Sequence, residues 1–319
     1  MSVGINIKKR RFELRMSQQE LAYRMGYKTR STIAKIESGE NDVSQKKLQK
    51  FAMVLDTTVE ALITGYPSEE FLIDSNTAAI SDKNNKCAVL ILAGGKTGIN
   101  NRNIPNQFIN INGKPIIIYS MEVYQTHPLI DDIYVVCLKG WEEIVKSYCK
   151  QFGITKLRGV ITGGKSGTES LKNGFDFIKD KYAPNDHIII HEATRPLLNI
   201  ETITRLLSAC SKSGSATISH TMTNYVQFDV SGKYPEYLER ESIVAMQSPE
   251  AHRLSILNEV FKLAEQMKLT LTESCCTMLM YNLGLDINFI EGNINNIKIE
   301  RDEDISRFAA ITSNSPAFN

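Results

Sequence analysis

The strongest constraint on this chain is a recurrence. Short runs that are almost wholly apolar return at 87-CAVLIL-92, 132-DIYVVCL-138 and 187-HIIIHEA-193, with helical periodicity between them. A short apolar run bounded by turn residues suits a strand buried on both faces, and helices joining such strands predict a mostly parallel sheet covered on both sides. Helices are expected at 115–125, 141–153, 168–181 and 200–212, and further strands at 157–164 and 215–221. Ligands in such sheets bind beyond the carboxyl ends of strands. The informative loops fall there: LAGG after the first strand, GGKSG after the third and HEATRP after the fourth.

That alternation does not begin until residue 87. Within 5–40, apolar residues instead recur at helical spacing: Ile5, Phe12, Leu14, then Leu21, Ala22, Met25, then Ile33 and Ile36. Ser17 is placed to cap a second helix, with Glu20 three residues on and Gly26 to end it. Thr29 or Ser31 can start a third, and 44–56 and 58–64 supply two more. Residues 66–86 have linker composition, with Phe71, Leu72 and Ile73 as a brief apolar patch. The predicted organisation is a helical head over 1–65, a linker over 66–86, an α/β body over 87–312 and a tail over 313–319.

The 319 residues exceed what one ordinary core holds, and 42% hydrophobic with 23% charged residues is a soluble composition. No run approaches a membrane span and no signal pattern opens the chain, so the expected location is the cytoplasm, with no membrane partner. The six cysteines show no CxxC pairing and predict neither disulfides nor zinc. His187 and His191 lie on a predicted strand, which removes the helical geometry of a metal pair. The net charge of +1 hides an asymmetry: residues 1–65 hold twelve Lys/Arg against seven Asp/Glu. A basic head on a mildly acidic body predicts that the head meets a polyanion.

The runs SQQELAYRMG, STIAKIESGE and VLDTTVEALI, in that order, resemble the Cro/C1-type helix-turn-helix family over almost all of residues 4–65. The resemblance implies double-stranded DNA as partner, with the third helix in the major groove. It places Gln18 and Gln19 at the second helix's start near phosphate, and Thr29, Arg30, Ser31, Thr32 and Lys35 towards bases or backbone. Arg30 is the candidate for guanine, whose two acceptors match a guanidinium fork.

From about residue 86 to 312, the motifs LAGG, PNQF, INGKPI, GGKSGTES, HEATRP, SHTM, QSPE, TES and NNIKIERDEDI resemble the methylerythritol-phosphate and ribitol-phosphate cytidylyltransferases. The implied fold is α/β: a Rossmann-like, mostly parallel αβα nucleotidyltransferase body with a β-arm, behind the all-α five-helix head. The implied nucleotide side is Ala93, Gly94, Gly95, Lys96, Gln107, Gly163, Gly164, Ser170 and Glu192. The implied polyol-phosphate side is Arg195, Thr221, Arg240, Ser248, Thr272 and Lys298. By the same resemblance the arm, residues 225–245, crosses into a second copy and makes a homodimer.

The nucleotide side departs from the family pattern. Ile99 stands where the family has an arginine, Asn106 where it has a lysine, Gly167 where it has another arginine, and Asn295 where it has an aspartate. Glu192 replaces an aspartate as the implied metal carboxylate, and Mg²⁺ is the implied cofactor if the domain is catalytic. Lys96, Arg102 and Lys165 are the candidates to replace the lost cations. The leading expectation is a DNA-binding transcription regulator whose catalytically weakened body recognises a polyol phosphate or CDP-polyol. The alternatives are an active CTP-dependent cytidylyltransferase for ribitol 5-phosphate or 2-C-methyl-D-erythritol 4-phosphate that also binds DNA, and a purely structural dimerisation body.

Overall fold

A computed structural model describes residues 3–14, 16–41, 43–55, 57–64, 85–95, 104–222, 226–231, 234–267, 269 and 275–314. The chain divides into two compact units, Met1–Ala78 and Ala79–Asn319.

The first unit holds five helices: α1 (Val3–Glu13), α2 (Gln18–Arg24), α3 (Ser31–Glu37), α4 (Gln45–Val54) and α5 (Val59–Thr64). Ser17 caps α2, its hydroxyl accepting the Glu20 amide at 3.1 Å. Gly26 follows with φ +78°, a left-handed turn that glycine adopts without steric cost. Ile7, Leu21, Ile33, Ile36, Phe51, Leu55 and Leu62 are fully buried between the helices. Ile5, expected in that core, is exposed instead, because Ile7 occupies the inward face of α1. Beneath α2 lies a buried ion pair: Arg11 Nε donates to Glu37 Oε1 at 2.7 Å and Nη2 to Oε2 at 3.0 Å, while Nη1 reaches the Met16 carbonyl.

The second unit is a seven-stranded sheet between helices. Its strands are β1 (Cys87–Ala93), β4 (Asp132–Cys137), β5 (Leu157–Thr162), β6 (His187–Glu192), β7 (Ser215–Thr221), β10 (Val244–Arg253) and β11 (Phe289–Glu291). The order is β11-β7-β10-β6-β1-β4-β5, and every neighbouring pair is parallel except those made by β10, which runs antiparallel between β6 and β7. Strand alternation sends Val89 and Ile91 into one core and Ala88 and Leu90 into the other. The first core is closed by α6 (Ile116–Thr126), α7 (Glu142–Gln151) and α9 (Ile200–Ser213); the second by α8 (Gly167–Ile178), α10 (Leu254–Gln266) and α11 (Cys276–Asn282). The hairpin β2 (Asn110–Ile111) and β3 (Lys114–Pro115) leads into α6, and α12 (Asp302–Asn314) packs Phe308 on Ile116 and Tyr119.

The arm is a small antiparallel hairpin, β8 (Gln227–Asp229) with β9 (Glu236–Leu238). Val226, Phe228, Val230, Tyr234 and Tyr237 on it are all exposed. No helix among the described residues is long and apolar enough to cross a membrane.

β10 carries a charge deep into the sheet. Glu250 is 2% exposed, and its carboxylate accepts the Cys276 and Thr277 amides at 2.6 and 2.8 Å, anchoring the start of α11, with His252 beside it. Burial pushes this carboxyl up, but His252, the Thr277 hydroxyl and the Cys276 amide outweigh it and hold it below the usual carboxylate range. A lowered folded value means the stabilisation is complete above the unfolded value of about 4.3 and is lost as pH falls through the folded one. Below pH of about 4.3 the melting temperature of the body should therefore fall more steeply in the wild type than in Glu250→Gln. Parallel acid limbs in melting curves would refute that.

Candidate functional site: two cavities sharing one wall

The carboxyl ends of β1, β5 and β6 surround a cavity of about 360 Å³. Its wall runs from Ala93, Gly94 and Gly95, through Gln107, to Gly164, Lys165, Ser166, Gly167 and Ser170, and then to Glu192, Thr194 and Lys298. Gln107 is buried, and its amide donates to the carbonyls of Ala93 and Gly95 at 2.7 and 3.0 Å, fixing the turn after β1. Ser166 caps α8, accepting the Glu169 amide at 3.1 Å. The paired glycines before it exist for contact: a Cβ on Gly164 would lie 2.5 Å from Glu169 Cβ, and one on Gly163 2.9 Å from Ser170 Oγ.

Gly163, expected at the nucleotide, does not line the cavity; its amide donates to the Cys137 carbonyl at 2.7 Å. Gly164 is on the wall, but its amide is given to Ser170 Oγ at 3.0 Å. Asn106 is buried with its amide nitrogen 3.3 Å from the Ile299 carbonyl. The position where a lysine was expected thus faces protein. Lys96, Ile99 and Arg102 lie outside the described residues, as does Thr272.

A second cavity, of about 150 Å³, opens beside the first at β6 and β10. Leu92, Ile190 and Met246 give it apolar walls, and Arg195, Gln247, Ser248, Glu250, Cys275, Glu192 and Lys298 its polar ones. Leu92, Glu192 and Lys298 belong to both cavities. At this divide Arg195 Nε donates to Glu192 Oε2 at 2.7 Å, and Lys298 Nζ stands 2.9 Å from Glu192 Oε1 and 3.1 Å from Glu300. Arg195 Nη1 also donates to the Asn296 carbonyl at 3.0 Å. Burial pushes the Glu192 carboxyl up, but Arg195 and Lys298 together hold it below its ordinary value. For Lys298, burial pulls down and Glu192 more than compensates, so the ammonium is held above the usual lysine value.

The backbone beneath is fixed by a neutral relay. Burial lowers His191 to about 4, so its ring is uncharged at neutral pH. Its Nε2 lies 3.1 Å from the Arg195 carbonyl, which makes Nε2 the protonated nitrogen and leaves Nδ1 to accept from Ser248 Oγ at 3.3 Å. Ser248 Oγ in turn accepts the Glu192 amide at 3.1 Å. Ser248 was expected as a polyol-phosphate contact; most of its hydrogen-bonding capacity instead ties β6 to β10. Thr221 ends β7 opposite Val244, and Arg240 opens a short turn at 240–242; neither lines either cavity of the single chain.

Glu192 is the acid on the described wall of the larger cavity, and both its oxygens already face cations. Asn295 supplies no charge, and no three His, Cys, Asp or Glu side chains among the described residues converge on one point. Gln247, Glu250, Cys275 and Asn296 belong to the site but carried no sequence expectation; the QSPE motif contained two of them.

On the head, Gln19, Thr29, Arg30, Ser31 and Lys35 are exposed and Thr32 half-buried, on or beside α2 and α3. Gln18 is partly committed inward, donating to Glu37 Oε2 at 2.9 Å. The Thr29 and Ser31 hydroxyls bond each other at 2.8 Å, and neither caps α3.

Comparison with known proteins adds the following. The 2-C-methyl-D-erythritol 4-phosphate cytidylyltransferase family model matches residues 87–314, and a helix-turn-helix family model matches residues 7–62. A ribitol-5-phosphate cytidylyltransferase of Lacticaseibacillus paracasei is 31% identical over 223 residues, 69% of this chain and 95% of the relative. One from Vibrio parahaemolyticus is 33% identical over 224 residues, 70% of this chain and 94% of the relative. A 4-diphosphocytidyl-2C-methyl-D-erythritol synthase of Anaerococcus prevotii shares the fold with TM-score 0.61 at 17% identity, over 72% of this chain and 99% of that one.

Proposed function

Because the chain belongs to the 2-C-methyl-D-erythritol 4-phosphate cytidylyltransferase family and carries a helix-turn-helix domain ahead of it, we propose that it is a DNA-binding transcription regulator. Its body recognises a polyol phosphate or CDP-polyol with weakened catalysis. The observation that carries this reading is the small number of cations on the described wall of the larger cavity. On its described wall the basic residues are Lys165 and Lys298, and Lys298 is already paired with Glu192. Cytidylyl transfer puts growing negative charge on the bridging and leaving oxygens, and each lost donor of this kind costs on the order of 10²–10³ in rate. Arg195 and Lys298 both line the smaller cavity, each paired with Glu192, and charge-assisted recognition of a phosphomonoester would draw on the two together.

The names of the relatives point to ribitol 5-phosphate first and methylerythritol 4-phosphate second. In the head, Arg30 and Lys35 would meet DNA. The exposed apolar arm supports a homodimer, which would pair two heads on one operator. Sensing requires that ligand bind two states of the protein unequally.

Two measurements test this. DNA affinity at fixed salt should change several-fold when CDP-ribitol or ribitol 5-phosphate is added; no change with either would remove the sensing role. Pyrophosphate release from CTP and ribitol 5-phosphate should run at least about 100-fold below that of an active ribitol-phosphate relative. Comparable turnover would make the protein a DNA-binding enzyme.

A further inference from the structure

We infer that Glu192 is a built-in counter-anion, occupying the place a phosphomonoester takes, so that ligand entry is an exchange of one anion for another. The inference deepens the polyol-phosphate reading above and rests on it for the identity of the ligand. Its basis is the charge count at the divide between the cavities. Arg195 and Lys298 are the two cations there, and Glu192 places one oxygen on each, at 2.7 and 2.9 Å. With Glu300 on the other side of Lys298 the cluster is neutral. A dianion brought in without rearrangement would meet the Glu192 carboxylate at close range and leave the cluster with an excess of two negative charges. Such a state is costly in a partly desolvated site.

The surroundings favour movement of the Glu192 side chain over movement of Arg195. Arg195 is 15% exposed and pinned by the Asn296 carbonyl. Glu192 has its backbone held by Ser248, but among the described residues its side chain is bound through Arg195 and Lys298. A phosphomonoester offers two charges and three acceptor oxygens where the carboxylate offers one charge and two. A neutral polyol offers nothing to displace the carboxylate with. The exchange thus selects phosphorylated ligands over their free polyols. Because Glu192 stands on the wall of both cavities, its displacement alters both in one step. The acid that would hold a metal cation is engaged by two side-chain cations already.

The test is calorimetric titration of the full-length protein, as wild type, Glu192→Gln and Glu192→Asp, with ribitol 5-phosphate and with inorganic phosphate. Glutamine keeps the size and removes the charge, so both anions should bind at least about tenfold more tightly than to wild type. Aspartate, one methylene shorter, cannot span both cations and should fall between; it carries the test alone if the glutamine variant fails to fold. If wild type binds ribitol 5-phosphate and the folded variants bind it no more tightly, the exchange is overturned and the recognition reading stands. If the variants gain inorganic phosphate while no form binds ribitol 5-phosphate, the exchange stands and the polyol reading falls. If no form binds either anion, both fall.

Discussion

Glu37→Ala is expected to melt the helix-turn-helix unit at temperatures where the α/β body remains folded. The Glu37 side chain is 2% exposed and that of Arg11 5%, so neither is rehydrated when the other is lost. Removing the carboxylate takes two hydrogen bonds from the buried Arg11 guanidinium, which also donates to the Met16 carbonyl, and takes the acceptor from Gln18. Breaking a buried pair from one side costs about 3–5 kcal/mol, a large part of the stability of a unit this small. Scanning calorimetry of the full chain should show one transition moved down steeply and the other unmoved, with DNA binding lost along with the first. A thermogram like that of wild type would mean that the pair is not what holds α1 to α3.

The second large effect is expected at Arg195. Its alanine variant should lose ribitol 5-phosphate affinity by about 10–100-fold, since hydrogen bonds to charged groups are worth about 1.5–3 kcal/mol. The lysine variant should recover little: a point charge cannot replace a fork whose Nε holds Glu192 while Nη1 holds the Asn296 carbonyl. Calorimetry reads both, and retained affinity in either variant would move the phosphate subsite away from Arg195.

Much of the architecture was legible because it is written in periodicity. CAVLILA is apolar throughout and HIIIHE carries three isoleucines in a row since strands inside such a sheet are buried on both faces, and the helices between them show one apolar side. β10 was not legible as a strand. Its stretch QSPEAHR is polar, and within the sheet the Glu250 carboxylate accepts from the first turn of α11 while His252 meets the Ser215 hydroxyl. That partnership is between elements far apart in sequence, and no local pattern announces it. The same holds for the site. Arg195, Lys298 and Gln107 stood in motifs, whereas the inward turn of Asn106, the commitment of Ser248 to His191 and Glu192, and the absence of Gly163 from the cavity wall are properties of packing. Resemblance named the residues; it did not say which already had partners.

The two cavities hang from different parts of one sheet, the larger on the loops after β1 and β5, the smaller on β6 and β10, with Leu92, Glu192 and Lys298 as their common partition. A substitution at Gly94, at Gly95 or within 164–167 therefore touches one chamber and leaves the other's walls standing. Such a layout lets one chamber change its own lining while the other keeps every residue that is not part of the shared partition.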